Sequence, residues 1–99
     1  MNATRILVAG ALGFAAMPIA LAAAADAPPG AASCTGCHPA SAGVDSPLTP
    51  LAGRNAADLV RQMQAFRSGE VPTTVMDQIA KGFSDAEVQA IAAWYAEQK

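Results

Sequence analysis

Histidine occurs once in this 99-residue chain and cysteine twice, and no run of basic residues occurs at all. Each scarcity excludes something. With one histidine, no metal can be held between two imidazoles of this chain. With three Cys and His side chains in total, a four-ligand structural zinc site cannot be filled from those residue types. The lack of a Lys/Arg cluster argues against nucleic acid and anionic lipid as partners. No stretch alternates apolar and polar residues as a half-buried strand does. A thioredoxin-like dithiol, which needs a strand-helix-strand setting, is therefore disfavoured. Internal repeats and low-complexity tracts are also missing.

What the chain has is concentrated. Both cysteines and the histidine fall within five residues, Cys34-Thr35-Gly36-Cys37-His38. Cys-x-x-Cys-His is the attachment signature of c-type haem. Two thiols three positions apart reach the two vinyl groups of one haem and become thioethers, and the adjoining imidazole serves as proximal iron ligand. A small disulfide or a redox dithiol are the rival readings of a bare Cys-x-x-Cys.

The first 25 residues read as a secretory signal peptide. Arg5 is the single early charge, Ile6 to Ala25 carries none, and Ala22-Ala23-Ala24-Ala25 offers small residues for cleavage after Ala24 or Ala25. The stretch is about long enough to span a bilayer, but Gly10, Gly13 and Pro18 interrupt it, so no stable membrane anchor is expected. Residues 26–99 then form a single domain with five basic and eight acidic side chains, a formal charge of −3. Folds below roughly 70–80 residues generally need a staple, and a covalent haem would supply one. Covalent haem attachment also suits an exported chain, which makes a bacterial periplasm the expected compartment.

Periodicity predicts an all-α domain of about three helices and a stub. Residues 31–38 form a turn or two carrying the thiols, although Pro39 disfavours helix at His38. Residues 40–53, with Gly43, Pro47, Pro50 and Gly53, read as loop. Asn55 is an N-cap with Asp58 in a weak capping box. Leu59, Val60, Met63 and Phe66 make one apolar stripe. Arg61, Gln62, Gln64 and Arg67 fall on the wet face, and Gly69 ends the helix. After an extended Glu70–Val75 segment, Met76–Lys81 makes one or two turns. Ser84 with Glu87 opens the last helix as a capping box, with Phe83 and Val88 as a hydrophobic staple.

A six-coordinate haem needs a ligand opposite His38. With no second histidine, methionine is the next choice, and a thioether raises the reduction potential. Met1 and Met17 leave with the signal. Met63 lies on the helical stripe, where methionine commonly fills core gaps. Met76 follows Val71-Pro72-Thr73-Thr74-Val75, a segment able to wrap over a haem face, and is the preferred ligand. Met63 and an open sixth position are the alternatives.

From Cys34 onward the chain resembles small bacterial class I cytochromes c, on the haem motif, Leu51-Ala52-Gly53, the Met76 loop and the capped last helix. Leu59 to Glu70 and Thr74 to Asp85 resemble the cytochrome subunit of flavocytochrome c sulfide dehydrogenases. The resemblance implies a small class I cytochrome c fold with one covalent haem and His38 and Met76 as axial ligands. It also implies a carbonyl at Thr49 or Pro50 accepting from His38 Nδ1–H. The family's usual proline position is Thr49 here, with Pro50 next to it. The full N-terminal helix of the family is shortened, since only Asp26 to Ser33 precedes the motif. Trp94 and Tyr95 are therefore expected to lack their usual cover, so that either a partner covers part of that helix or Trp94 folds over the haem edge.

The leading expectation is one-electron transfer by a polypeptide without catalytic residues. The resemblance implies a flavoprotein (FAD) sulfide dehydrogenase subunit as donor and a downstream acceptor such as another cytochrome. A free periplasmic cytochrome serving an oxidase or another dehydrogenase is the alternative. A peroxidase or gas sensor needs an open sixth position, and no distal histidine or arginine pair supports peroxide cleavage.

Overall fold

Asn55 and Ser84 start the two long helices, and each does so by the mechanism its side chain allows. Asn55 Oδ1 accepts from the Asp58 backbone N–H at 3.1 Å, which satisfies one of the unpaired donors at a helix start. Ser84 and Glu87 make the full reciprocal box. Glu87 N–H donates to Ser84 Oγ at 3.2 Å and Ser84 N–H donates to Glu87 Oε2 at 2.7 Å. Asp58 does not close a box at the first helix, because its carboxylate pairs with Arg61 instead.

The computed structural model describes residues 26–99, so the expected signal peptide, residues 1–25, lies outside the described residues. The helices are α1 (Ala31–Cys34), α2 (Ala56–Ser68), α3 (Met76–Lys81) and α4 (Asp85–Glu97). No strand occurs among the described residues. The architecture is all-α, as periodicity predicts. Gly69 ends α2 with φ at +79°, a left-handed conformation that costs glycine little. No helix among the described residues is long and apolar enough to cross a membrane.

Helix α2 packs against both α3 and α4. The buried centre is small: Ala31 from α1, Leu59 from α2, and Ile91, Ala92 and Tyr95 from α4. Two of the five are alanines, which bury little apolar area. Such a centre is thin for a domain of this size.

Helix α1 is a single turn, yet its register continues to the histidine. His38 N–H donates to the Cys34 carbonyl at 2.8 Å, a helical i to i−4 bond made in spite of Pro39. Gly30 precedes α1 with φ at +88°, and a Cβ there would sit 2.6 Å from Phe83 Cε1. Only glycine satisfies both the backbone angle and the close approach.

Two expectations are corrected. Tyr95 does not lack cover: it is 1% exposed, and its hydroxyl donates to the Ala31 carbonyl at 2.7 Å. The one-turn α1 takes the place of a longer helix by offering a single well-placed carbonyl. Trp94 is half-buried against the same centre and packs edge-to-face on Tyr95, with ring centroids 4.9 Å apart. The wet face of α2 is also drier than periodicity implies. Gln62 and Arg67 are half-buried, and the Arg67 guanidinium reaches three residues outside its own helix.

Candidate functional site

Helices α1, α2, α3 and α4 and the loop before α2 enclose an apolar cavity of about 550 Å³. That volume lies within the range of roughly 300–1,000 Å³ usual for cofactor sites. Cys34, Cys37, His38, Met63 and Met76 all line it. The structure thus brings the cysteine-histidine motif to one space with both candidate methionines, which lie at least 25 positions further along the sequence. Arg54 is the only lining residue with a formal charge among those described.

The proximal side is built by the loop of residues 39–54. Leu51 N–H donates to the Pro39 carbonyl at 3.4 Å and closes the loop at its base. The closed loop presents the Thr49 carbonyl to His38 Nδ1 at 2.8 Å. A carbonyl oxygen can only accept, so Nδ1 carries a proton, and in the neutral imidazole Nε2 then keeps its lone pair. Such a bond fixes the ring and raises the basicity of the ligating nitrogen. Of the two carbonyls offered by sequence, Thr49 serves. At the far end of the loop, Gly53 N–H donates to the Tyr95 carbonyl at 3.0 Å, anchoring Leu51-Ala52-Gly53 to the end of α4.

Both cysteines are free thiols, Cys34 half-buried and Cys37 exposed. Burial pushes the Cys34 thiol above its ordinary pKa, and hydrogen bonds with Tyr95 and Ser33 offset this only in part. A redox-active dithiol needs the opposite, a thiolate stabilised by positive charge or a helix N-terminus. Nor do three or more His, Cys, Asp or Glu side chains cluster into a metal site among the described residues. The donors present suit a haem instead: two thiols, one imidazole with its lone pair on Nε2, a thioether, and apolar walls from Leu59, Phe66 and Ile91.

Met76 is the first residue of α3 and half-buried, so it lies on a short helix rather than in the preceding loop. Thr73 Oγ1 accepts from the Asp77 N–H at 3.0 Å and caps that helix start. Desolvation raises the Asp77 carboxyl, but hydrogen bonds from Gln78 and Thr73 and the charge of Lys81 outweigh it and hold the pKa below its ordinary value. Met63 lies mid-way along α2 on the apolar stripe.

At the cavity mouth, Leu48, Val75 and Ile79 are 43%, 52% and 43% exposed. The apolar surface open to a partner therefore surrounds the cavity rather than the Trp94-Tyr95 pair. A larger groove of about 790 Å³ runs along the outside of α2, lined by Arg54, Arg61, Gln64 and Glu70 among others. It is shallow and charged, and cannot take an apolar macrocycle out of water.

Sequence reading missed two residues that shape this site, Tyr95 as the tie between α1 and α4, and Arg67 as the tie between α2, α3 and α4. The adjacent Trp94-Tyr95 pair signalled a structural role without saying what it would meet. Arg67 offered only its place in the last turn of α2.

No protein-family model matches the chain. It is similar to two curated proteins, each described as a thiosulfate dehydrogenase electron acceptor. One, from Stutzerimonas stutzeri (strain A1501), is 43% identical over 67 residues, covering 64% of this chain and 31% of that protein. The other, from Thiomonas intermedia (strain K12), is 39% identical over 100 residues, covering 96% of this chain and 44% of that protein. The chain spans less than half the length of these curated relatives. The second match takes in almost the whole chain, so the likeness extends well beyond the five-residue motif.

Proposed function

We propose that this chain is a periplasmic one-electron carrier holding one covalent c-type haem, and that it accepts electrons from a dehydrogenase oxidising an inorganic sulfur compound. The observation that carries the reading is the convergence of Cys34, Cys37, His38 and Met76 on one apolar cavity of about 550 Å³. Cys34 and Cys37 would hold the haem through thioethers, with His38 and Met76 as axial ligands. The haem supplies a one-electron ferric/ferrous couple. The chain's own residues do the rest. Thr49 holds the His38 ring through Nδ1–H, Met76 brings a thioether that raises the potential, and Leu59 and Ile91 keep water from the interior. With both axial positions filled, the polypeptide needs no catalytic residue.

Two observations bear on the donor. The likeness of Leu59 to Glu70 and of Thr74 to Asp85 to sulfide dehydrogenase cytochrome subunits favours a flavoprotein. The relatives described as thiosulfate dehydrogenase electron acceptors favour thiosulfate oxidation. They also cover more of the chain than that likeness does, so thiosulfate dehydrogenase is the first donor to test. The protein is co-expressed with a cytochrome c maturation system, its mass measured, and its haem reduction followed with each purified dehydrogenase and its substrate. The expected result is one covalent haem and rapid reduction with thiosulfate dehydrogenase. Reduction only by the sulfide flavoprotein would move the assignment to that partner. A chain that leaves a complete maturation system without covalent haem would refute the reading.

A further inference from the structure

We infer that Arg67 is the positioning residue for Met76, setting where α3 lies over the cavity. The inference rests on the reading of Met76 as an axial ligand and adds a residue that acts through it.

Helix α3 cannot place itself. It has six residues, Met76–Lys81, about half the minimum length at which an isolated helix is even marginal. Its single fully buried side chain is Ala80, while Ile79 is 43% exposed. One buried alanine removes little apolar area from water. The Thr73–Asp77 bonds cap the helix start, but Thr73 belongs to the segment leading into α3, so they do not fix α3 to the rest of the molecule.

Arg67 supplies that fixation. From the last turn of α2, its Nε donates to the Ala80 carbonyl at 3.3 Å, Nη2 to the Phe83 carbonyl at 2.7 Å, and Nη1 to Asp85 Oδ1 at 2.5 Å. One planar group thus holds the end of α3, the linker, and the first residue of α4. Among the described hydrogen bonds, no other side chain links α2 to α3. The cation also lies at the carbonyl end of α3, where the helix dipole is negative. A lysine ammonium lacks the fixed fork that meets several acceptors at once. At 1.5 Å per residue α3 is about 9 Å long, so a swing of roughly 10° about its far end would move Met76 by about 1.5 Å. A displacement of that size is enough to weaken a bond to iron.

The test uses the haem-loaded protein. Two readouts follow the methionine–iron bond without any partner: the weak absorption near the red end in the ferric state, and the affinity of ferric protein for added imidazole, which must displace Met76. In Arg67→Met, imidazole should bind on the order of tenfold more tightly and the red absorption should fade, as expected for losing charge-assisted hydrogen bonds. Arg67→Lys should recover part of this. Asp85→Asn keeps both carbonyl contacts and should shift affinity only about two- to threefold; together with Arg67→Lys it carries the test if Arg67→Met does not fold. Asn55→Ala removes the α2 cap, lowers thermal stability, and should leave imidazole affinity unchanged. The inference is overturned if Asn55→Ala and the Arg67 variants shift affinity equally at equal loss of stability. It is also overturned if the Arg67 variants match the wild type while Met76→Ala binds imidazole far more tightly. Should Met76→Ala itself leave both readouts unchanged, the ligand assignment fails and the positioning role fails with it.

Discussion

The described chain divides into two halves that solve opposite problems. Residues 55–97 hold three helices with defined starts, and most of their structure is local: caps, i to i−4 bonds and apolar stripes. Residues 26–54 hold one helical turn and a long loop, yet they carry both thiols, the imidazole and the carbonyl that orients it. The chemistry resides in the half that has least structure of its own. That half is held by a few bonds to the other: Tyr95 hydroxyl to Ala31, Gly53 N–H to Tyr95, and the Gly30–Phe83 contact. A binding loop on a rigid frame is a common division of labour. Here the proposed haem would fill the space between the halves.

The largest test of the contrast removes that filling. Without a cofactor, the apolar walls of a cavity of about 550 Å³ stand open to water, and the small buried centre offers little else to hold a domain of this size together. The Cys34→Ser/Cys37→Ser double variant should therefore lose most of its helical circular dichroism, and native-like ellipticity in that protein would overturn the view that the two halves depend on the haem.

The next tests cut the ties between the halves. Gly30→Ala meets both a left-handed backbone angle and Phe83 Cε1 at 2.6 Å, and should cost about 1–3 kcal/mol in urea denaturation of the haem-loaded protein. Tyr95→Phe leaves the Ala31 carbonyl without its partner in a fully buried residue, at a similar cost of about 1–3 kcal/mol. A melting temperature unchanged by either substitution would mean that the first half is held by something other than these contacts.

Alkaline titration tests the Tyr95 tie from another side. In the haem-free chain, burial first and the neighbouring Cys34 thiol second push the phenol up to about 12 from the ordinary 10, and the burial contribution remains once Cys34 is a thioether. The folded state then keeps a proton that the unfolded state releases. This contribution to stability is complete below pH 10 and is lost as pH rises from 10 to about 12. Tyr95→Phe should flatten that decline, and an identical slope in wild type and variant would remove Tyr95 as its source.

The smallest effects belong to the self-sufficient half. Ser84→Ala removes the cap of α4 and should cost about 1 kcal/mol. Breaking the Asp58–Arg61 pair by Arg61→Ala should change stability by less than about 0.5 kcal/mol, because both side chains are mostly exposed. A loss from Arg61→Ala as large as that from Tyr95→Phe would erase the distinction between local and tying contacts.

The same contrast explains what was legible in the sequence. Helix starts at Asn55 and Ser84, the stop at Gly69 and the stripe from Leu59 to Phe66 depend on neighbours a few positions away, and periodicity reads them directly. The motif at Cys34 to His38 is legible as a pattern, and the structure adds that its three donor side chains line one cavity. Tyr95 and Arg67 escape a local pattern because their partners lie far along the chain, and Gln62 does so because it lines the cavity. Periodicity says which face a residue occupies and not what that face meets. The choice of Thr49 over Pro50 needed the loop closure between Leu51 and Pro39, which no local pattern reveals.

The Tyr95–Ala31 bond joins residues 64 positions apart, and this distance has a consequence in time rather than in space. Closing so long a loop costs entropy that only the packing of the intervening helices repays. The turn that carries Cys34 is thus among the last parts to settle during folding. Under the proposed function, both thiols would stay open to whatever delivers the haem until that bond forms.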